Sequence, residues 1–295
     1  MTYDIIIVGG GPAGLTAAIY AQRANKKVLV IERSLFGGQV ATLGAIENYP
    51  GFPTIQGMEL ADIFYSQAKE LGVETKRDEM LTIDDNGETK TVVCKKGSYQ
   101  AKAVILALGS ISRELNAIGE KKFIGSGVSY CATCDGAFFK NKKVAVVGSG
   151  DSAVASALYL KNICREVVII SKYPELKLKA YPQAIFERLK DVKIYYSTQV
   201  EEIMGAETVQ AIKLASQEEI AVDGIFVSIG RKPDTEGLKG KLELDEKGYI
   251  KTDEHYRTSM QNVFACGDII VSPLKQIVTA AAQGAIAATE AIAII

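Results

Sequence analysis

The chain is short of metal ligands. His255 is its only histidine, and outside one Cys-x-x-Cys pair its cysteines Cys94, Cys164 and Cys266 stand singly along 295 residues. A zinc knuckle needs a second ligand pair at similar spacing, so no metal site is expected. An excess of one charge is also missing. The 34 basic and 35 acidic residues leave a net charge of −1, which offers no basic face to nucleic acid or an anionic membrane. No run of about 20 apolar residues is present, so no membrane-spanning helix is expected. The most apolar stretch, 279–295, is broken by Gln283 and Glu290 and reads as a packed terminal helix. Thr2-Tyr3-Asp4 lead straight into a strand without a basic start or cleavage site, so no signal peptide is expected. An odd count of five cysteines without an export signal fits a reducing cytoplasm.

What remains is an ordinary globular balance, 47% hydrophobic and 23% charged, in a chain long enough for two cores. Its centre holds Cys131-Ala132-Thr133-Cys134-Asp135. Two thiols at this spacing can close a small disulfide ring, and Asp135 is placed to supply a proton when a thiolate leaves. A purely structural bridge over so short a loop would constrain little of the unfolded chain. A pair of inert core thiols would leave the adjacent carboxylate unexplained. The redox-active reading is therefore preferred. The singletons Cys94, Cys164 and Cys266 read as small buried apolar residues, and His255, after two acids on a surface turn, is given no chemistry.

Two glycine turns suggest what feeds electrons to such a pair. Residues 4–8 form a short apolar run, the pattern of a strand buried on both faces. Gly9-Gly10-Gly11-Pro12-Ala13-Gly14 follow, then a helix to about residue 24, then a second buried strand over 28–32 ending in Glu32. Strand, turn, helix, strand and acid together make the dinucleotide fingerprint: the glycines admit a pyrophosphate, the helix N-terminus stabilises its charge, and Glu32 accepts from a ribose hydroxyl. The pattern repeats. A strand over 143–147 enters Gly148-Ser149-Gly150-Asp151-Ser152-Ala153, a helix runs to about Leu160, and a strand follows over 166–171. Two matched nucleotide folds imply two nucleotide cofactors. In the second, Ser171 stands in the register of Glu32, with Lys172 and Lys177 just beyond. Loss of the acid beside basic residues suits a 2′-phosphate, hence NADPH over NADH, although lysines on a solvated surface would look the same.

Further elements read more coarsely. Gly37-Gly38-Gln39 and residues 47–53 are turn-rich loops that suit either a surface or cofactor contacts. A helix is expected over 58–71, a hairpin around 81–94, and a buried strand over 103–108 that stops at Gly109. The polar stretch 112–127 reads as a domain crossing. Strands follow at 193–196, 211–214 and 224–229, the last ending at Gly230, and residues 231–235 read as a closing turn. The strand at 262–266 ends in Gly267-Asp268, where a doubly wound sheet presents ligand-contacting groups; Asp268 would serve as well as a helix cap. Lys275-Gln276 open the last helix.

These motifs together resemble the low-molecular-weight, bacterial-type thioredoxin reductases, FAD-dependent members of the pyridine nucleotide-disulfide oxidoreductases. The resemblance covers nearly the whole chain, and its most specific part is Cys-Ala-Thr-Cys-Asp-Gly at 131–136, placed just before the second nucleotide motif. It implies an α/β fold of two Rossmann-like domains, the second inserted into the first: an FAD domain of 1–112 and 240–295, and an NAD(P)H domain of 113–239 carrying the cysteines. It implies that Cys134 is the thiol nearest the flavin, that Cys131 attacks thioredoxin, and that Asp135 is the acid–base. The implied FAD contacts are the first turn with Glu32, then Gly38, Gln39, Asn48, Gly109, Gly267, Asp268, Lys275, Gln276 and Ile277. For NAD(P)H they are the second turn, Ser171, Lys172, Lys177 and Gly230. A homodimer and a large domain rotation are implied as well.

One departure concerns the donor. NADPH-using members of the family carry a His-Arg-Arg cluster and a further arginine where this chain has Ser171-Lys172-Tyr173 and Lys177, and lysine lacks arginine's bidentate fork. Some relatives with an eroded cluster draw electrons from reduced ferredoxin, which stands as the alternative donor. A flavin- or thiol-based redox sensor that binds a partner is the non-enzymatic alternative.

Overall fold

The structure is a computed structural model and describes residues 2–178 and 188–295. Two compact units compose it, Met1–Ile111 with Lys232–Ile295, and Ser112–Arg231 between them. The return crossing thus falls after Arg231 rather than after residue 239. Residues 232–239 fold with the first unit because Leu238 is fully buried in its core and Gly237 lies against the Leu81 carbonyl, where a Cβ would collide. The expected turn at 231–235 holds a short strand instead, Arg231–Pro233, paired with Ser110–Ser112. Each unit also ties its own ends: Asp234 N–H donates to the Gly109 carbonyl in the first, and Arg113 N–H to the Gly230 carbonyl in the second.

The first unit is built on a seven-stranded sheet. Thr2–Val8 runs parallel between Val28–Glu32 and Ser98–Leu106, with Glu74–Arg77 beyond Val28–Glu32. The far side of Ser98–Leu106 is shared. Its first half pairs antiparallel with Lys90–Cys94, which continues into Met80–Asp85, and its second half pairs parallel with Val263–Ala265. Ile5, Ile6 and Ile7 are all fully buried, because successive side chains enter cores on opposite faces. On one face lie the helices Pro12–Arg23, Gly57–Glu70 and Ile277–Ala293. The first and last of these meet closely: a Cβ on Gly284 would collide with the Ala13 carbonyl. Gln276 and Thr279 close the start of the last helix as a reciprocal cap.

The second unit repeats the plan on a smaller scale. Five parallel strands run in the order Val128–Ser129, Gly224–Val227, Lys143–Val147, Glu166–Ile170 and Lys193–Tyr195. An antiparallel sheet of Val200–Gly205, Val209–Leu214 and Glu219–Ala221 packs into the core on one face, and the helix Asp151–Lys161 packs on the other. Among the described residues, no helix is long and apolar enough to cross a membrane.

Candidate active site: two glycine turns and a cysteine pair

Gly9 leaves its strand at φ +113°, a conformation costly for any residue with a side chain, and a Cβ there would strike the Ala107 carbonyl. The helix Pro12–Arg23 then starts at Gly11 with proline in its first turn and no side-chain cap, which leaves its first amide groups for a ligand. The glycines of this turn differ in purpose. A Cβ on Gly14 would collide with the Gly9 carbonyl, whereas a Cβ on Gly11 would meet nothing within 4 Å. Gly14 serves packing, and Gly11 keeps an open approach to the helix start. That cradle fits the pyrophosphate of a dinucleotide.

Around it the structure gathers several residues singled out from sequence. Gly38 lies over the turn, where its Cβ would come 3.1 Å from Gly11 Cα, and Gly37 N–H donates to the Gly10 carbonyl at 2.7 Å. Glu32 is buried and accepts Gly10 N–H at 2.7 Å and Ser34 N–H at 2.8 Å. Each carboxylate oxygen keeps acceptor capacity for a ribose hydroxyl. Gln39 donates to Ser110 Oγ at 3.2 Å beside Gly109, and Asn48 donates to Gln276 Oε1 at 3.0 Å. Gly267, in the short turn Gly267–Ile269 with Asp268, packs on Ala13. Its N–H donates to Gln283 Oε1 at 2.8 Å, a buried contact that nothing in the sequence marked except a glutamine within an apolar helix. Residues 47–53 line an open depression of their own. Ile277 is the first residue of the last helix and packs partly into the core. Lys275 is placed differently. Its ammonium donates to the Asp268 and Ile270 carbonyls at 2.6 and 3.2 Å and sits 3.6 Å from the centre of the Tyr249 ring. Burial lowers its pKa. Lys275 holds the loop that carries Asp268.

In the second unit Gly148 turns at φ +154°, and Gly150 starts the helix Asp151–Lys161, again without a side-chain cap. Ser152 Oγ approaches the Ser228 carbonyl at 3.4 Å, and Ala153 packs against the turn. Ser171 is fully buried; its hydroxyl lies 2.9 Å from Ser149 Oγ and 3.0 Å from the Tyr173 carbonyl. The segment after it doubles back, so that Lys177 N–H donates to the Ser149 carbonyl at 2.6 Å. Lys177 Nζ stands 3.5 Å from the centre of the Tyr173 ring, while Lys172 and Gly230 are exposed.

Cys131 and Cys134 are joined as a disulfide, with Cα atoms 5.3 Å apart. Cys131 ends the approach from the strand Val128–Ser129 and caps the short helix Ala132–Asp135, its sulfur accepting Cys134 N–H at 3.2 Å. Cys134 is exposed and Cys131 half-buried, so a partner can reach the pair. Gly136 seats this helix against Asp151–Lys161, since a Cβ there would press on Leu160 and Tyr159. Asp135 Oδ2 lies 2.6 Å from Ser129 Oγ, and Ser129 also touches Cys131 N–H at 3.0 Å. Sequence reasoning passed over Ser129; a hydroxyl two residues ahead of the cysteine was the available signal. The other thiols are set apart chemically. Burial pushes Cys94 and Cys266 up to about 12, with Asp78 adding to the effect at Cys94, and burial raises Cys164 as well.

A disulfide carried on one of two dinucleotide folds defines a nucleotide-dependent disulfide oxidoreductase. Comparison with known proteins agrees. The family model for pyridine nucleotide-disulphide oxidoreductases matches residues 3–284. The chain is 41% identical to the thioredoxin reductase of Listeria innocua, over 98% of this chain and 92% of that one. The crystal structure of Lactococcus lactis thioredoxin reductase superposes with a TM-score of 0.88 at 38% identity, covering 98% of this chain and 97% of that one. A ferredoxin-flavin thioredoxin reductase from Clostridium acetobutylicum matches with a TM-score of 0.56 at 33% identity, covering 99% and 97%. The chain belongs to the pyridine nucleotide-disulphide oxidoreductase family and, within it, groups with the thioredoxin reductases.

Proposed function

We propose that the chain is an FAD-dependent reductase that moves electrons from NADPH to the Cys131–Cys134 disulfide and on to thioredoxin. The observation that carries this is the reachable disulfide, with a carboxylate beside it, on a unit that has its own dinucleotide turn. In this reading the first unit holds FAD through the uncapped start of Pro12–Arg23, with Glu32 on a ribose and Asp268 near the ribityl chain. The flavin supplies two-electron chemistry between nicotinamide and dithiol. Gly148 to Ala153 hold the pyridine nucleotide, and Lys172 and Lys177 answer its 2′-phosphate. Cys134 takes electrons on the flavin side. Cys131 attacks the thioredoxin disulfide, and Asp135 moves the proton that a thiolate gains or loses. The likeness to thioredoxin reductases also supports a homodimer working in the cytoplasm.

The test is an anaerobic titration of the flavoprotein with NADPH, NADH and reduced ferredoxin in turn, followed by a thioredoxin-reduction assay. NADPH should bleach the flavin and drive thioredoxin reduction faster than about 1 per second, the low end for ordinary enzymes. Bleaching by ferredoxin alone would select the other donor, and turnover far below that rate would favour a sensor.

A further inference from the structure

We infer that Ser129 is a positioning residue for Asp135, fixing the carboxylate against the main chain of the attacking cysteine; this rests on reading Asp135 as the acid–base of the exchange. Ser129 is 5% exposed and ends a strand of the parallel sheet, so its hydroxyl is placed by buried backbone. Its oxygen lies 2.6 Å from Asp135 Oδ2, 3.0 Å from Cys131 N and 3.2 Å from the Cys131 carbonyl. A hydroxyl has one proton to give, and the carboxylate is both the nearer and the stronger acceptor. Ser129 therefore donates to Asp135 and accepts Cys131 N–H. Asp135 N–H closes the loop by donating to the Cys131 carbonyl at 3.1 Å.

The exchange explains why that matters. In the reduced pair, the Cys131 thiol gives its proton to Asp135 and the thiolate attacks the partner's disulfide. A Cys131–partner mixed disulfide forms as the partner's S–S bond breaks, and the released partner thiolate takes that proton from Asp135. Asp135 then takes the Cys134 proton, and the Cys134 thiolate attacks Cys131 Sγ. The Cys131–Cys134 bond re-forms as the second partner thiolate leaves and takes this proton in turn. Two electrons and two protons have passed from dithiol to partner. Asp135 must be held in place when the first proton moves, and the Ser129 hydroxyl holds it there.

The experiment is single-turnover exchange between the pre-reduced full-length protein and an aromatic disulfide whose released thiolate is coloured. It needs neither nicotinamide nor thioredoxin. Ser129→Ala should slow exchange about tenfold, the equivalent of losing one charge-assisted hydrogen bond. Ser129→Thr should restore the rate. Added to Asp135→Asn, Ser129→Ala should change the rate less than about twofold, because its effect runs through the missing carboxylate. Multiplying losses in the double variant, or an unchanged rate in Ser129→Ala, would overturn the positioning role while leaving Asp135 its own. A wild-type rate in Asp135→Asn would overturn both. Should the alanine variant not fold, Ser129→Gly carries the same comparison.

Discussion

The two glycines at the start of the first helix, three residues apart, should respond oppositely to the same added methyl group. At Gly11 the backbone is extended, with φ −81° and ψ −174°, and a Cβ meets nothing within 4 Å. Gly11→Ala should therefore leave the FAD-free protein as stable as the parent or steadier by about 0.4–1 kcal/mol, through lost freedom of the unfolded chain. The methyl group would stand where the pyrophosphate approaches. Losing one hydrogen bond between a phosphate oxygen and a backbone amide is worth about 1.5–3 kcal/mol, so the Kd for FAD should rise roughly tenfold to a hundredfold. At Gly14 the same methyl group strikes the Gly9 carbonyl, and Gly9 cannot retreat because it is itself packed on Ala107. Gly14→Ala should cost about 2–3 kcal/mol of overpacking and lower the Tm of the FAD-free protein by roughly 4–12 °C. Thermal unfolding without FAD and fluorescence titration with FAD separate the two. A Gly11→Ala protein that binds FAD as tightly as the parent would refute the placement of the pyrophosphate. One that melts early without FAD would show that Gly11 is there for packing.

Cys134→Ser should leave reduction of the bound flavin by NADPH intact and reduce thioredoxin turnover to background in a coupled assay; sustained turnover would remove Cys134 from the path. Removing both Lys172 and Lys177 as alanines should raise the KM for NADPH about tenfold and leave that for NADH unchanged, as expected for lost contacts to a 2′-phosphate. Equal effects on both nucleotides would show that these lysines do not read it. Asp4 carries a pH signature. The Lys102 ammonium, and then the Lys27 amide, hold its carboxyl below the usual carboxylate range. A depressed folded pKa stabilises above the unfolded value, and that contribution is lost as pH falls through it toward the folded one. Asp4→Asn should cost less than about 1 kcal/mol at neutral pH in urea unfolding, with the two proteins converging in acid. A difference that persisted at low pH would contradict the assignment.

Both nucleotide folds were legible because their signal is local. A short apolar run, a glycine turn and a helix lie within a few residues of each other, and the structure keeps them adjacent in Thr2–Val8 with Pro12–Arg23 and in Lys143–Val147 with Asp151–Lys161. What escaped depends on distant partners. Lys275 owes its place to the Asp268 and Ile270 carbonyls and the Tyr249 ring, a grouping the chain assembles only when folded. Ser171, compared with Glu32 by register alone, is drawn inward by Ser149 and Tyr173. The strand Val200–Gly205 was passed over because register shifts against Val209–Leu214 break its alternation. The strand at Arg231–Pro233 was hidden by a proline and neighbours that read as a turn, and only its partner Ser110–Ser112 makes it one.

The seating of Ile277–Ala293 on Pro12–Arg23, with Val263–Ala265 paired to Ser98–Leu106, bears on how the chain is made. A ribosome delivers every described strand of the inserted unit while the host's seven-stranded sheet still lacks one strand and a flanking helix. The inserted unit can mature early, but the alanine-rich flank of the first helix stays bare until Ile277–Ala293 has been made. A nascent chain stalled near residue 250 should therefore expose that flank to chaperones while its cysteine-bearing middle already resists protease.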